Sequence, residues 1–397
     1  MSDHVFVDVE AGNHDRENTV VYAPMVLAEE HASHVVHEVN EDGSFGDAVP
    51  AQCIEACECG AEDLEDCECG CQVAFIVPSM AAGESKRFAI CTDECDDPGF
   101  DEVIVELDED AKTAAFMIGD EMVTRYNFDF DEFVRPNCYP VYGPGGLEVT
   151  EYAQTDHPHH KSMYVALGEV NGTNNWDEQE GHGYSKCQSV TVLAEGPVFA
   201  QLLAVNDWLD NKENKLMEEW TVITVYNMPE TGRIIDWDIT FVASEKGIHI
   251  GDTKESGTLS VRMLTELHEK GHTGTIVNAY GGIGEGENWG KPSPWVDYHG
   301  ELEGQKVGLA IFDSPYNLRF PTTWHVRSYG LFTANCWGYS YFTGDQSKRG
   351  DYTMPVGDTL NFVYRVYVHA GDTEEAKVGE RWFDFAYPPK VSAVEEE

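Results

Sequence analysis

The chain has 397 residues, 42% of them hydrophobic and 11% aromatic, enough to bury a large core and unlike a disordered segment. Its 72 acidic against 25 basic side chains leave a net charge of −47, spread along the chain. Such a surface repels phosphate backbones and anionic headgroups, which excludes nucleic acid and membranes as partners, and no apolar run approaches the ~18 residues of a membrane helix.

Self-repulsion on this scale is screened by salt, so a salt-adapted surface is expected. The first residues, MSDHVFVDVEAGNHD, lack a basic stretch followed by an apolar one. The expectation is therefore a cytoplasmic protein.

Residues 1–110 read as a small β domain. Short alternating runs such as Val5-Phe6-Val7-Asp8-Val9 and Val73-Ala74-Phe75-Ile76-Val77 are separated by acidic, glycine-containing turns. It carries a cysteine-rich insertion at 53–71. Six of the eleven cysteines fall within it, Cys53, Cys57, Cys59, Cys67, Cys69 and Cys71, and two more, Cys91 and Cys95, follow closely. In a reducing compartment, Cys-x-Cys groups favour a shared soft metal, and zinc at about four thiolates per site is the expectation. In an oxidising one the same residues read as disulfides and the protein as extracellular.

Residues 111–390 read as one large β-sandwich of antiparallel sheets. Apolar and polar residues alternate over 112–118, 189–194, 198–205, 220–226, 233–243, 258–263, 306–312 and 359–369, the pattern of strands with one buried face. Helical patterns are limited to 214–220 and 373–385, and residues 391–397 are expected to fray. The fold class is all-β.

The densest chemistry is Asp156-His157-Pro158-His159-His160. Imidazole titrates near neutrality and is the commonest metal ligand. In an extended segment His157 and His159 share a face and His160 takes the other. A turn in which the rings cap and pack is the structural alternative. Further polar-aromatic stretches surround Asn171 to Trp176, Asp252 to Glu255, Trp289 to Tyr298 and Trp324-His325-Val326-Arg327. Indoles stack on the apolar face of a pyranose while planar polar groups bridge hydroxyls, so these stretches suggest sugar recognition. Asp156, Asp252, Glu255 and Asp297 are candidate carboxylates for glycoside chemistry. No Gly-x-Ser-x-Gly elbow or His-Glu-x-x-His motif is present. Cys138 and Cys336 carry no mark of an activated nucleophile.

The ordered blocks VDVEAGNHDRENT, RPNCYPVYGPGGLEVT, DHPHH, GEVNG, IIDWDI, GDTKE, WVDYHG and PTTWHVRSYGLFTAN resemble the DUF6807 family over almost the whole chain. That family is often labelled PmoA-like or methane oxygenase, a label at odds with a chain lacking a spanning segment. The resemblance implies a supersandwich similar to galactose-mutarotase-like proteins and an association with carbohydrate processing. It carries Arg135, His157, His159, His160, Asn171, Trp176, Trp289, Asp297, Trp324, His325 and Arg327 forward as site candidates. Ser314-Pro315-Tyr316-Asn317 departs from the family's His-Pro-x-Asn, and the cysteine insertion is peculiar to this chain.

The resulting expectation is a carbohydrate-active enzyme acting on a glycoside or oxidised sugar. His157, His159, His160, His325 and Asp297 would do acid–base or metal-assisted chemistry. Arg135, Asn171, Trp176, Trp289, Trp324 and Arg327 would hold the carbohydrate ligand. The alternative is a non-catalytic sugar-binding or self-assembling structural protein on the same scaffold. A homo-oligomer suits either reading.

Overall fold

The computed structural model describes residues 4–24, 35–55, 71–91, 98–229 and 232–394. The chain divides into two compact units, each built from antiparallel sheets. The first comprises residues 1–103, 194–199 and 380–397, and the second 104–193 and 200–379. The division falls seven residues before the expected boundary at 110, and two later segments return to the first unit.

In the first unit a five-stranded sheet and a three-stranded sheet share one core. Alternation in His4–Glu10 turns Val7 and Val9 inward, and alternation in the partner sheet does the same for Val73, Phe75 and Val77. The Phe75 and Phe88 rings meet at 5.0 Å. Buried Arg16 uses its guanidinium to hold the carbonyls of Ala11, Phe383 and Tyr387 and the Asp384 carboxylate. Of the tail expected to fray, residues 395–397 lie outside the described residues, while 391–393 belong to a strand, Lys390–Ala393, paired antiparallel with His4–Glu10. Its backbone groups find partners along the edge of that strand, which outweighs the fraying tendency of a chain end.

Of the clustered cysteines, Cys53 and Cys91 are disulfide-bonded. An oxidised sulfur is not a thiolate ligand, so in this state these two are corrected out of the expected zinc set. Cys57, Cys59, Cys67, Cys69 and Cys95 lie outside the described residues, and Cys71 heads the strand Cys71–Met80.

The second unit holds two eight-stranded sheets. The first contains, in neighbouring order, Trp324–Val326, Leu331–Ala334, Gly257–Arg262, Met163–Ala166 and Asn137–Val141, then three further strands. The second runs from Tyr184–Ala194 at one edge through Lys215–Tyr226, Gly232–Val242 and Thr359–Ala370 to Trp295–Leu302 and Thr275–Asn278. Their facing surfaces bury Val261, Phe332, Trp324 and Tyr298, with the Tyr298 and Phe332 rings 6.3 Å apart. Each such side chain contributes about 2–3 kcal/mol of hydrophobic stabilisation. Residues 214–220, expected as helix, begin the strand Lys215–Tyr226, because pairing with Gly232–Val242 overrides the local helix preference of Leu, Met and Glu. The other expected helix forms over Val378–Ala386. Among the described residues no helix is long and apolar enough to cross a membrane.

Candidate functional site

Strand register determines which groups can meet. His325 lies opposite Thr333, Thr333 opposite Ser260, and Ser260 opposite Tyr164. These four occupy one row on one face of the sheet, and Arg262 lies one pleat along the same face. Trp324 and Val326 point the other way. This face, opposite the one carrying Phe332 and Val261, receives the histidine segment.

Residues 154–160 form two successive turns, with His157 N–H donating to the Gln154 carbonyl at 3.0 Å and His160 N–H to the His157 carbonyl at 3.1 Å. Pro158 occupies the second position of the His157–His160 turn, where its fixed φ is favoured. Of the two geometries open to this segment, extended or turned, it takes the turn. The turn brings all three rings together: His157 and His160 stack at 4.8 Å and 5°, and His159 meets His160 edge-on at 4.4 Å. His157 also stacks on Tyr329 at 4.6 Å.

Arg262, buried in the sheet, organises this turn from below. Its guanidinium pairs with Glu151 at 2.8 Å and Asp156 at 3.1 Å, and donates to His160 Nδ1 at 3.3 Å. His160 therefore accepts at Nδ1 and carries its proton on Nε2. Burial, with His159 and Arg262 adding positive charge, pushes His160 far below the usual histidine range, so it is neutral. Burial works against ionisation of Asp156, but hydrogen bonds from His157 and Arg262 outweigh it and hold the carboxyl at about 2.

Above this base lie the half-exposed groups. His159 Nε2 is 3.9 Å from Asp177. Burial lowers its affinity for a proton, Asp177 opposes this, and Arg135 adds to it. His325 is 1% exposed, and its Nδ1 accepts the Trp289 indole N–H at 2.9 Å. Its Nε2 faces Glu255 at 3.7 Å and has no hydrogen-bond partner among the described residues. Burial, reinforced by Lys254 and Arg327, drops its pKa to about 3. Lys254 pairs with Glu255, and Arg327 with Glu285 at 3.1 Å while covering the Tyr329 ring. Tyr329 is common to both segments, since its ring is stacked on His157 and covered by Arg327. The DHPHH turn and the Trp324–Val326 strand, about 165 residues apart in sequence, thus build one polar cluster.

Not every candidate joins it. Asp297 alternates to the face of its strand opposite Tyr298, away from the shared core. There it accepts from His369 Nε2 at 3.1 Å, His299 Nδ1 at 3.0 Å and Thr373 Oγ1 at 2.5 Å in a separate buried network. Trp324 is fully buried with its indole N–H on the Ser293 carbonyl, so it cannot stack on a ligand. Trp176 is also fully buried and packs edge-on against His159 and His160, acting as a floor. Arg135 is buried beneath it, donating to its carbonyl at 3.3 Å. Asn171 has a positive φ of 51° and exchanges hydrogen bonds with Gly247 and His249, a turn-forming role. Asp252 is saturated by Ser340 and the Gly350 N–H. The Cys138 and Cys336 thiols are buried and pushed well above the usual thiol range.

Sequence reading missed Arg262, Glu151, Asp177, Glu285 and Tyr329. Tyr329 stands two residues after Arg327 within a block already singled out, and Asp177 directly follows Trp176. Nothing local marks Arg262 or Glu151. Among the described residues, no group of three or more His, Cys, Asp or Glu side chains is arranged to hold a metal ion.

These features define an all-β sandwich protein with a histidine-rich polar cluster on the outer face of one sheet. The chain belongs to the DUF6807 family, a family of unknown function, which it matches over residues 113–383. No curated protein matches it. Among solved structures it is similar to a protein in glycosyl hydrolase family 38 from Enterococcus faecalis, at 12% identity and a TM-score of 0.46, covering 99% of this chain and 48% of that one. It is similar also to an alpha-mannosidase from Enterococcus faecalis V583, at 13% identity and a TM-score of 0.47, covering 99% and 46%. The chain spans about half the length of either structure.

Proposed function

We propose that the cluster binds a carbohydrate and carries out acid–base chemistry on it, as a glycoside or an oxidised sugar. The observation that carries this reading is the buried His325 Nε2–H, without a hydrogen-bond partner among the described residues, facing half-exposed Glu255 at 3.7 Å with the cations Lys254 and Arg327 acting on it. A neutral imidazole donor next to a carboxylate suits a substrate oxygen that gains negative charge as a bond breaks or a proton is removed elsewhere. His325 supplies the hydrogen bond to that oxygen. His159, kept neutral by burial and steered by Asp177, accepts a proton from a sugar hydroxyl or carbon acid. Trp289 is the one partly exposed indole among the three candidates, and offers the stacking face. His157 and His160 hold the turn rigid through their stack. The test is turnover of a panel of glycosides and keto sugars by the purified chain.

A second reading, sugar binding without turnover, is favoured by one observation: His160 and His325 are both held neutral far below physiological pH. Ligand binding in the absence of turnover across the panel would support it.

A further inference from the structure

Between the two sheets of the second unit lies a small cavity of about 10 Å³, lined by Tyr126, Arg135, Pro136, Val165, Ser185, Glu219 and Trp237. Three of these residues carry a buried polar atom without a hydrogen-bond partner among the described residues: Arg135 Nη1, Ser185 Oγ and Trp237 Nε1. They are 2%, 5% and 2% exposed. Leaving one such group unpaired costs about 1–3 kcal/mol, so three on one cavity call for an occupant. We propose that this cavity is a binding site for one ordered water molecule, which joins Arg135 to Glu219 as a water-mediated ion pair inside the sandwich.

The hydrogen-bond count closes with a single water. Arg135 Nη1 and Trp237 Nε1 can only donate, so the occupant must accept twice. Ser185 Oγ can accept. Glu219 Oε1 already receives Asn206 at 3.0 Å and Thr221 at 2.8 Å, whereas Oε2 receives only Trp208 at 2.8 Å and keeps a lone pair. Two bonds accepted and two donated fill the four positions of a water. The volume is that of one water, since a cavity needs roughly 10–15 Å³ to hold it. A halide would satisfy the donors but would sit against the Glu219 carboxylate. Arg135 has no carboxylate at ion-pair distance among the described residues, so this water supplies its route to a counter-charge. Its other arm, Nη2, holds the Trp176 carbonyl beneath the histidine turn.

A high-resolution crystal structure of the whole chain, with a parallel bromide soak, tests the site. The expected result is one peak within hydrogen-bond distance of Arg135, Trp237, Ser185 and Glu219, with no bromide anomalous signal. An empty cavity overturns the proposal, and so does a bromide peak. Ser185→Val provides a second reading, because its methyl groups enter the cavity. The expected outcome is loss of the peak and a lower Tm, as Arg135 and Trp237 lose their acceptor. A raised Tm would mean that a dry void had been filled, and would also overturn the proposal.

Discussion

The Trp289 indole N–H donates to His325 Nδ1 at 2.9 Å, which places the single proton of a neutral His325 on Nε2, the nitrogen facing Glu255 at 3.7 Å. One hydrogen bond thus sets which nitrogen of a buried imidazole is a donor to the cluster. Trp289→Phe keeps an aromatic face and removes the N–H. Under the proposed function it should lower kcat roughly five- to tenfold, in line with a bond of about 1 kcal/mol, with little change in KM. Unaltered kcat in an active enzyme would separate the tautomer from the chemistry.

Arg262 joins the strand Gly257–Arg262 to the histidine turn through Glu151 and Asp156, and both Arg262 and Glu151 are buried. Removing one partner strands the other charge away from water. Arg262→Met should cost about 3–5 kcal/mol in denaturant unfolding. The double variant Arg262→Met/Glu151→Leu should recover most of that loss, because no uncompensated charge remains. A double variant as unstable as the single would put the cost in lost packing instead.

Asp313 gives a pH dependence of defined sign. Burial raises its carboxyl from 3.8 to about 7, against the hydrogen bonds from Asn317 and the Thr322 N–H. The folded chain keeps this proton over a range where the unfolded chain has released it. Its contribution to stability is complete below about pH 4 and is lost as pH rises through about 7, amounting to about 4 kcal/mol. The difference in unfolding free energy between Asp313→Asn and the parent should therefore shift in favour of the variant from pH 4 to 7 and level above it. A difference independent of pH would remove Asp313 as a titrating group.

Cys53 and Cys91 are disulfide-bonded, which makes the first unit redox-sensitive. Under a reductant its melting transition should fall by an amount typical of a lost disulfide, about 2–5 kcal/mol, while the second unit, whose Cys138, Cys187 and Cys336 are free thiols, keeps its transition. Thiol titration of the untreated denatured chain should give fewer than eleven reactive cysteines. Eleven reactive thiols, or stoichiometric zinc, would restore the metal-thiolate expectation.

The strands of the large sandwich were legible because their alternation is imposed by one buried face, as in the segment at 233–243, which forms Gly232–Val242. The segment at 214–220 was not, since Leu216, Met217 and Glu218 favour a helix locally and only the pairing with the following strand decides otherwise. His325 could be recognised from its block, but neighbouring Trp324 shares that block and faces the core. A period of two sends adjacent residues to opposite faces, and sequence alone does not say which face is the site. Asp297 was misassigned to the cluster for the same reason. Arg262 and Glu151 were invisible because a buried ion pair 111 residues apart leaves no local pattern.

The most direct measurement of the central claim is turnover and binding across a panel of glycosides and keto sugars by the wild-type chain, His159→Ala and His325→Ala. The account predicts that one substrate class is turned over, that His159→Ala loses roughly 10²–10⁴ in kcat, the contribution of a positioned base, and that His325→Ala loses roughly 10²–10³, the contribution of a preorganised hydrogen-bond donor. It also predicts an acid limb below pH 6.5 that belongs to His159, whose proton affinity burial lowers. Wild-type rates in both variants, or no binding of any sugar by the folded chain, would contradict it.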